Sequence, residues 1–403
     1  MSTPRLLGLG AGSLGLASTW ALYNTFMPLL LSQFITSSGL RGVVMGLDNV
    51  LALVLMPIIG AWSDRLDGPL GNRLPFLLVG MPLTGLLFAA LPFADSTLYL
   101  LLAVDVVFLL AITMFRAPLI ALMPDHVPPD GRSAANGLIT LMGATGGAIA
   151  LLLLAPLFDH AEWIPFAASG LIVILSLVVV MIASDRHPRF VEQGAIQEEA
   201  PVLSGLLADL KELLGRRRGG AGVLLLAVFA CFFGYSALEA QFSTYATQTL
   251  GLSGGRAGTA IGAASLAFVA MAVPAGRLTK RFASANVMRF GAVLLALSAL
   301  VAASVEDPTS LPAVLAIGGA AWALVMVPAY PLVVNQGGPS QTGFYTGMYY
   351  LFGSGASIAG PALVGSLMDF FGNQALFVAL AIAMLIGALL VTVAKRRRVE
   401  AER

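Results

Sequence analysis

Three acids stand in long apolar stretches where nothing in the sequence offers them water: Asp48, Asp105 and Glu239. A carboxylate at the centre of a bilayer costs roughly 2.5–3.5 kcal/mol on insertion scales. An acid kept there faces a cavity, pairs with a partner, or takes up a proton. The chemistry these residues offer is therefore binding and proton exchange rather than the making of covalent bonds. Asp105 is the first candidate for the proton-carrying group; its bland alternative is a structural hydrogen bond to a neighbouring helix. Arg116 lies eleven residues further on. On a helix that places it about 20° past whole turns and about 16 Å along the axis, too far to pair directly with Asp105. Arg116 suits either the same cavity or an inner gate with Asp125. Glu239 follows Tyr235 by one turn and precedes Gln241, as a second proton site or an acceptor for a substrate hydroxyl would. Asp48, next to Asn49, completes the acids, and Tyr23 and Asn24 reach the same depth, roughly 12–17 Å from the outer helix ends. Trp322, Asn335 and Tyr349 add the aromatic faces and amide groups that a small-molecule cavity wants, although an aromatic stripe equally suits a helix core.

The elements that must position these residues follow from composition. Of 403 residues, 58% are apolar and 11% charged, with a mean hydropathy of +0.89; ordinary globular domains carry about 25% charged residues. A soluble enzyme, a disordered chain and a coiled coil are excluded. A net charge of +1 argues against a nucleic-acid partner, and the single cysteine, Cys231, allows no intrachain disulfide and no cysteine metal cluster. No cofactor or resident metal is expected.

Apolar runs between charged, Pro, Gly or Asn breaks predict an all-α integral membrane protein of twelve helices. The runs cover 6–34, 41–62, 75–93, 97–122, 133–157, 163–184, 221–250, 256–276, 285–304, 311–336, 341–368 and 374–394. The first run is too long for a signal peptide and right for a first span. Kinks are expected at Pro28, Pro57, Pro274 and Pro331. With the N-terminus inside, only Arg41 and Arg256 of the 22 Lys and Arg residues fall outside, a strong positive-inside bias that puts both termini in the cytoplasm. The runs Arg216–Arg218 and Lys395–Arg398 read as anchors touching anionic headgroups.

The 36-residue segment 185–220 is the long hydrophilic one and separates two halves, 1–184 and 221–403, each of six spans. Within it Val202–Leu214 reads as a short amphipathic helix. The halves repeat each other. Pro57 to Arg65 matches Pro274 to Arg281; Gly39, Arg41 and Gly46 match Gly254, Arg256 and Gly262; Leu157-Phe158-Asp159 matches Leu367-Met368-Asp369. Repeats of this kind belong to secondary transporters, whose halves rock about a central substrate.

Gly60-x-x-x-Asp64-Arg65 resembles the loop signature of the major facilitator superfamily. Its continuation Gly71-x-Arg73-x-Pro75 is similar to the Gly-Arg-Arg-Arg-Pro element of the sucrose–proton and glycoside–pentoside–hexuronide symporters, with Asn72 and Leu74 in place of two arginines. The eleven-residue spacing of Asp105 and Arg116 resembles that of an acid and an arginine in the plant sucrose–proton carriers, and the stretches Arg116 to Asp125, Arg132 to Asn136 and Phe233 to Glu239 resemble bacterial relatives of those carriers. The resemblance implies two pseudo-symmetric six-helix bundles in a bacterial inner membrane, working as a monomer. It also implies proton-coupled symport of a sugar such as a disaccharide or glycoside, and a gating loop built on Gly60, Asp64, Arg65, Arg73 and, from the repeat, Arg281. Sodium-coupled relatives carry two acids where Ala52 and Met56 stand here, so the resemblance favours protons. An exporter or carrier of another organic solute, such as a drug, lipid or metabolite, would share the fold. An enzyme fits poorly. His126, His160 and His187 lie in or beside loops, and the protease-like Gly251-Leu-Ser253-Gly254 falls in a predicted outer loop with no histidine in its half of the chain. A channel or receptor would leave the repeat unexplained.

Overall fold

A computed structural model describes residues 3–66, 68–186, 188, 190, 219–305, 307–336 and 341–401. Twelve helices are long and apolar enough to cross a membrane: Thr3–Ser32, Ser38–Arg65, Leu74–Phe93, Leu98–His126, Ala134–Asp159, Trp163–Ala183, Gly220–Gln248, Gly254–Arg281, Ser284–Ala303, Leu311–Val334, Gly343–Phe371 and Ala375–Arg397. They are numbered as spans one to twelve. Each falls on an expected run, the largest departure being the end of span eight, at Arg281 rather than 276. Helices are the form that satisfies its own backbone in lipid, and no strand occurs among the described residues. The expected amphipathic helix Val202–Leu214 lies outside the described residues.

None of the four prolines at which kinks are expected, Pro28, Pro57, Pro274 and Pro331, interrupts its helix. Span two breaks instead at Gly46, between helices Ser38–Met45 and Leu47–Arg65, where the Gly46 N–H is shared between the carbonyls of Gly42 and Val43 at 3.0 and 3.2 Å. Span five passes from α-helix to a π turn at Ala150–Leu154 and then to a 3-10 segment, Ala155–Asp159. Pro156 lacks the N–H that would bond the Leu152 carbonyl, so the α-helical ladder cannot continue there.

The chain divides into two compact units. One comprises Met1–Thr36, Leu47–Ile196 and Leu252–Gly262; the other comprises Ser37–Gly46, Gln197–Gly251 and Ala263–Arg403. The division differs from a simple split at the central segment in two exchanged pieces. The first helix of span two belongs to the second unit, and the first turns of span eight belong to the first. In both cases the boundary falls at a glycine of the repeat, Gly46 or Gly262.

The first unit is organised by a run of aromatic rings. Phe26 stacks on Phe158 at 4.1 Å, Phe88 meets Phe166 at 4.9 Å and Phe108 at 5.3 Å, and Phe108 stacks on Tyr23 at 5.4 Å. Each such pair adds about 0.5–1.5 kcal/mol beyond the area it buries. Together they lock spans one, three, four, five and six. Close helix approach does the rest: a Cβ on Gly146 of span five would collide with the Leu14 carbonyl of span one, so only glycine fits.

In the second unit span seven packs against spans eleven and twelve, and span nine packs against ten and twelve. Gln241 of span seven is fully buried, and its amide nitrogen donates to the carbonyls of Ser38 and Pro361 at 2.9 and 3.1 Å. It thereby ties the first helix of span two to span eleven.

Candidate functional site

Span four begins at Thr97, whose hydroxyl caps the Leu100 N–H at 3.3 Å. From there the helix delivers Asp105 to the face that also carries Phe108, three residues on, and so against Tyr23. Asp105 and Tyr23 are both completely buried. The Tyr23 hydroxyl faces the Asp105 carboxyl and the two interact. The pair stands at the margin of hydrogen-bond geometry, and among the described residues no other group bonds the Asp105 oxygens or the Tyr23 hydroxyl. Native interiors rarely leave a carboxyl in this condition, and an orphaned one calls for a functional or ligand-based reason.

Asp48 lies within electrostatic reach of both Asp105 and Tyr23. Asn49 donates to it at 2.6 Å. Arg116 interacts electrostatically with Asp48, and its guanidinium sits 5.7 Å from the Trp20 ring centroid. Trp20 in turn meets Tyr23 edge-on at 5.4 Å. Two acids, one arginine, a tyrosine and a tryptophan from spans one, two and four thus form one cluster. Arg116 belongs to this cluster and not to a gate with Asp125, the alternative the sequence left open. Asn24, next to Tyr23, is half-buried on the same span.

The loop after span two forms a separate network. Arg73 pairs with Asp64, donates to the Ser63 hydroxyl, and bonds Asp125 through Nε at 3.0 Å. Both Arg73 and Asp125 are buried. Gly71 has φ +76°, and a Cβ there would collide with the Arg186 carbonyl, so the turn that presents Arg73 requires glycine. Beside it His126 holds the Leu122 carbonyl with Nδ1 at 2.8 Å and accepts the Asp185 N–H on Nε2 at 2.9 Å, while Asp185 pairs with Arg5. Both ring nitrogens are thus engaged in bracing the loop. Arg65 is exposed at the end of span two, Gly60 has open space about its Cα, and Arg281 lies 5.8 Å over the Phe282 ring.

In the second unit Tyr235 stacks flat on Trp322, 4.0 Å between centroids and 8° between planes. Phe232 closes the edge of Trp322 at 5.5 Å and of Tyr349 at 6.0 Å. Tyr330 and Tyr350 extend the cluster from Tyr349. Glu239, exposed on span seven, acts electrostatically on the Tyr235 hydroxyl. Two expected members stand elsewhere. Gln241 spends its amide N–H groups on backbone carbonyls and serves as a strut. Asn335 caps the end of span ten and lines a cavity with Lys395, away from the aromatic cluster.

Sequence reasoning missed one matched pair of contacts. In the first unit Asp159 accepts the Ser253 hydroxyl at 2.6 Å and the Gly255 N–H at 2.8 Å. In the second, Asp369 accepts the Ser37 hydroxyl at 2.6 Å and the N–H groups of Ser38 and Gly39 at 2.7 and 3.0 Å. Each carboxylate caps the positive end of a helix, where a negative charge is favoured. Ser253, the residue of the protease-like motif, is thus a capping residue. The repeat held the signal, because Ser37 and Ser253 keep the same spacing as Gly46 and Gly262 (253 − 37 = 262 − 46).

The family model described as Major Facilitator Superfamily matches residues 9–254 and 224–403. Among curated proteins, the sucrose transport protein SUC3 of Arabidopsis thaliana is 25% identical over 231 residues, 48% of this chain and 39% of the plant protein. The proton-associated sugar transporter A of Homo sapiens is 32% identical over 74 residues, 18% of this chain and 10% of the human protein. The chain therefore spans well under half the length of these relatives. Among solved structures, a bacterial homolog of the human lysosomal transporter Spinster superposes with a TM-score of 0.72 at 16% identity, covering 100% of this chain and 98% of that one. The nucleoside transporter NupG gives 0.72 at 14% identity, covering 97% and 99%. The human organic anion transporter MFSD10 gives 0.64 at 20%, covering 97% and 100%. At these identities the likeness establishes the fold alone.

Proposed function

The chain belongs to the Major Facilitator Superfamily, and from that premise we propose that this transporter carries a sugar, most simply a disaccharide or glycoside, in symport with a proton. The observation that carries the reading is Asp105: fully buried, facing Tyr23 at the margin of hydrogen-bond geometry, and met by no other hydrogen-bonding group among the described residues. A neutral, protonated Asp105 donates one hydrogen bond and accepts others, which suits a sugar hydroxyl or Tyr23. When the proton leaves, a bare carboxylate remains near Asp48 and faces the Tyr23 hydroxyl. Loading and unloading of the proton is thus tied to what occupies the cluster. Arg116 keeps the neighbourhood of Asp48 compensated in either state. Tyr235, Trp322 and Tyr349 supply flat apolar faces and hydroxyls of the kind that pyranose rings use, with Glu239 as a further acceptor. The Arg73 network and the two helix-capping aspartates serve as conformational fasteners. Proton coupling is favoured over sodium because Ala52 and Met56 stand where sodium-coupled relatives carry acids.

The partial likeness to a plant sucrose carrier and a proton-associated sugar transporter supports the sugar reading. Carriers of nucleosides and organic anions share the fold, and another small organic solute is the competing reading. The test is uptake into proteoliposomes across a panel of labelled mono- and disaccharides, nucleosides and organic anions, with and without an inward proton gradient. Gradient-stimulated uptake of a sugar is expected. Stimulation confined to a nucleoside or organic anion, or no stimulation at all, contradicts the proposal.

A further inference from the structure

The second unit contains a cavity of about 440 Å³ where the ends of spans seven, nine, ten and twelve meet. Its polar wall is made of Lys395, Ser284, Asn335 and Gln336; its apolar wall includes Leu224 and Leu332. Among the described residues no aspartate or glutamate lines it. Lys395 instead rests on the neutral Asn286 oxygen at 3.3 Å. One turn along the same groove, Arg289 rests on the neutral Thr392 hydroxyl at 3.4 Å. Neither cation lies within salt-bridge distance of a carboxylate among the described residues. Two cations side by side, each held by a neutral group, leave a positive potential that favours an anion.

The start of span nine adds donors. Ala283 provides no side-chain cap, and the N–H groups of Ser284 and Ala285 have no carbonyl one turn behind them within the helix. They border the cavity, next to the Ser284 hydroxyl. Backbone N–H groups, a hydroxyl and a lysine bordering a space where no described residue is an acid match the several oxygens of a phosphate. Beyond the cations the groove becomes apolar and faces outward: Phe290, Val293 and Leu297 on span nine, Leu389 and Leu385 on span twelve are all exposed. Such a surface suits acyl chains, and it lies on the same two helices as Arg289 and Lys395.

We propose that this cavity binds a phosphate-bearing anion, presented to it as the headgroup of an anionic phospholipid. The site stands apart from the Asp105 cluster, and the inference does not depend on which solute the protein carries. Basic pockets between helix ends on the positive-inside face are where anionic headgroups bind.

Thermal unfolding of the purified full chain in detergent tests this, with added dioleoyl phosphatidylglycerol, dioleoyl phosphatidylcholine or inorganic phosphate as probes. Phosphatidylglycerol should raise the midpoint by about 5 °C at saturation and phosphatidylcholine should not. A comparable rise with inorganic phosphate would assign the site to a soluble anion, and a rise with the lipid alone to a headgroup; either supports the phosphate chemistry. Ser284→Asp keeps the helix start favourable by placing an acid in its first turn, so it should leave the midpoint without lipid unchanged while removing the lipid response. Lys395→Gln with Arg289→Gln should remove it too. Arg277→Gln with Lys280→Gln, on exposed cations of span eight outside the cavity, should preserve it. Equal loss in that last variant, a retained response in Ser284→Asp, or no response to either phosphate source overturns the proposal.

Discussion

The Tyr23 hydroxyl and the Asp105 carboxyl face each other in a fully buried space at the margin of hydrogen-bond geometry, and among the described residues no other group bonds either one. Both are fixed by the same packing: Tyr23 stacks on Phe108, one turn from Asp105 on span four. The aromatic core of the first unit therefore holds an acid and a hydroxyl in register while leaving their polar atoms available. This is the geometry expected of a site whose partner comes and goes.

Asp105→Asn retains the shape and the burial but cannot exchange a proton. Gradient-driven accumulation of the transported sugar should fall at least about 100-fold, the scale of lost proton transfer by a positioned group. Exchange of labelled for unlabelled sugar across the membrane should persist. Unaltered accumulation in this variant would place the coupling proton elsewhere, with Asp48 and Glu239 next in order.

Among the described residues Arg73 is the cation bonded to Asp125, and Arg73→Ala leaves that buried carboxylate without it. A loss of about 3 kcal/mol is expected, read as a lowered denaturation midpoint. Arg73→Lys should recover only part of it, because an ammonium cannot reproduce the forked contacts to Asp64, Ser63 and Asp125. Equal stability of the Ala and Lys variants would show that the network contributes through packing alone.

Asp159 and Asp369 cap two helices of the repeat with closely similar geometry. Asp159→Ala and Asp369→Ala should each cost about 1 kcal/mol, the worth of an N-terminal cap, and the two losses should agree within a few tenths. A large loss in one and none in the other would break the functional equivalence of the two repeats. Unfolding midpoints of the two variants measured side by side decide this.

Tyr235→Phe keeps the stack on Trp322 and deletes only the hydroxyl that senses Glu239. If that hydroxyl binds the sugar, KM for uptake should rise about tenfold, the worth of one hydrogen bond, with tryptophan fluorescence unchanged. An unaltered KM would confine Tyr235 to the core of the second unit.

Much of this was legible before any coordinates. Lone acids in apolar runs mark themselves, because hydrocarbon makes each one expensive; Asp105 and Asp48 were found that way, and the twelve spans by length and hydropathy. Helix period and depth also brought Tyr23 to the right level. What the sequence could not reveal was which neighbour each charge meets. Arg116 lay equally well on the way to Asp48 or Asp125, and only the helix-to-helix rotation that sets it over Trp20 decides. Gln241 looks like a cavity residue by spacing, but the first helix of span two, which ends at Gly46, takes its amide. Asn335 stands apart for a similar reason, since span ten ends there, its backbone N–H closes the helix, and the residue lines a different cavity. Composition cannot encode such breaks, which depend on tertiary contacts many residues away.

The central claim is that sugar and proton move together. Simultaneous recording of sugar uptake and external pH, in lightly buffered proteoliposomes with no imposed gradient, tests it most directly. Adding the transported sugar should make the outer medium more alkaline in step with uptake, and Asp105→Asn should abolish that alkalinisation. Sugar entry at full rate with no change in external pH would contradict the account.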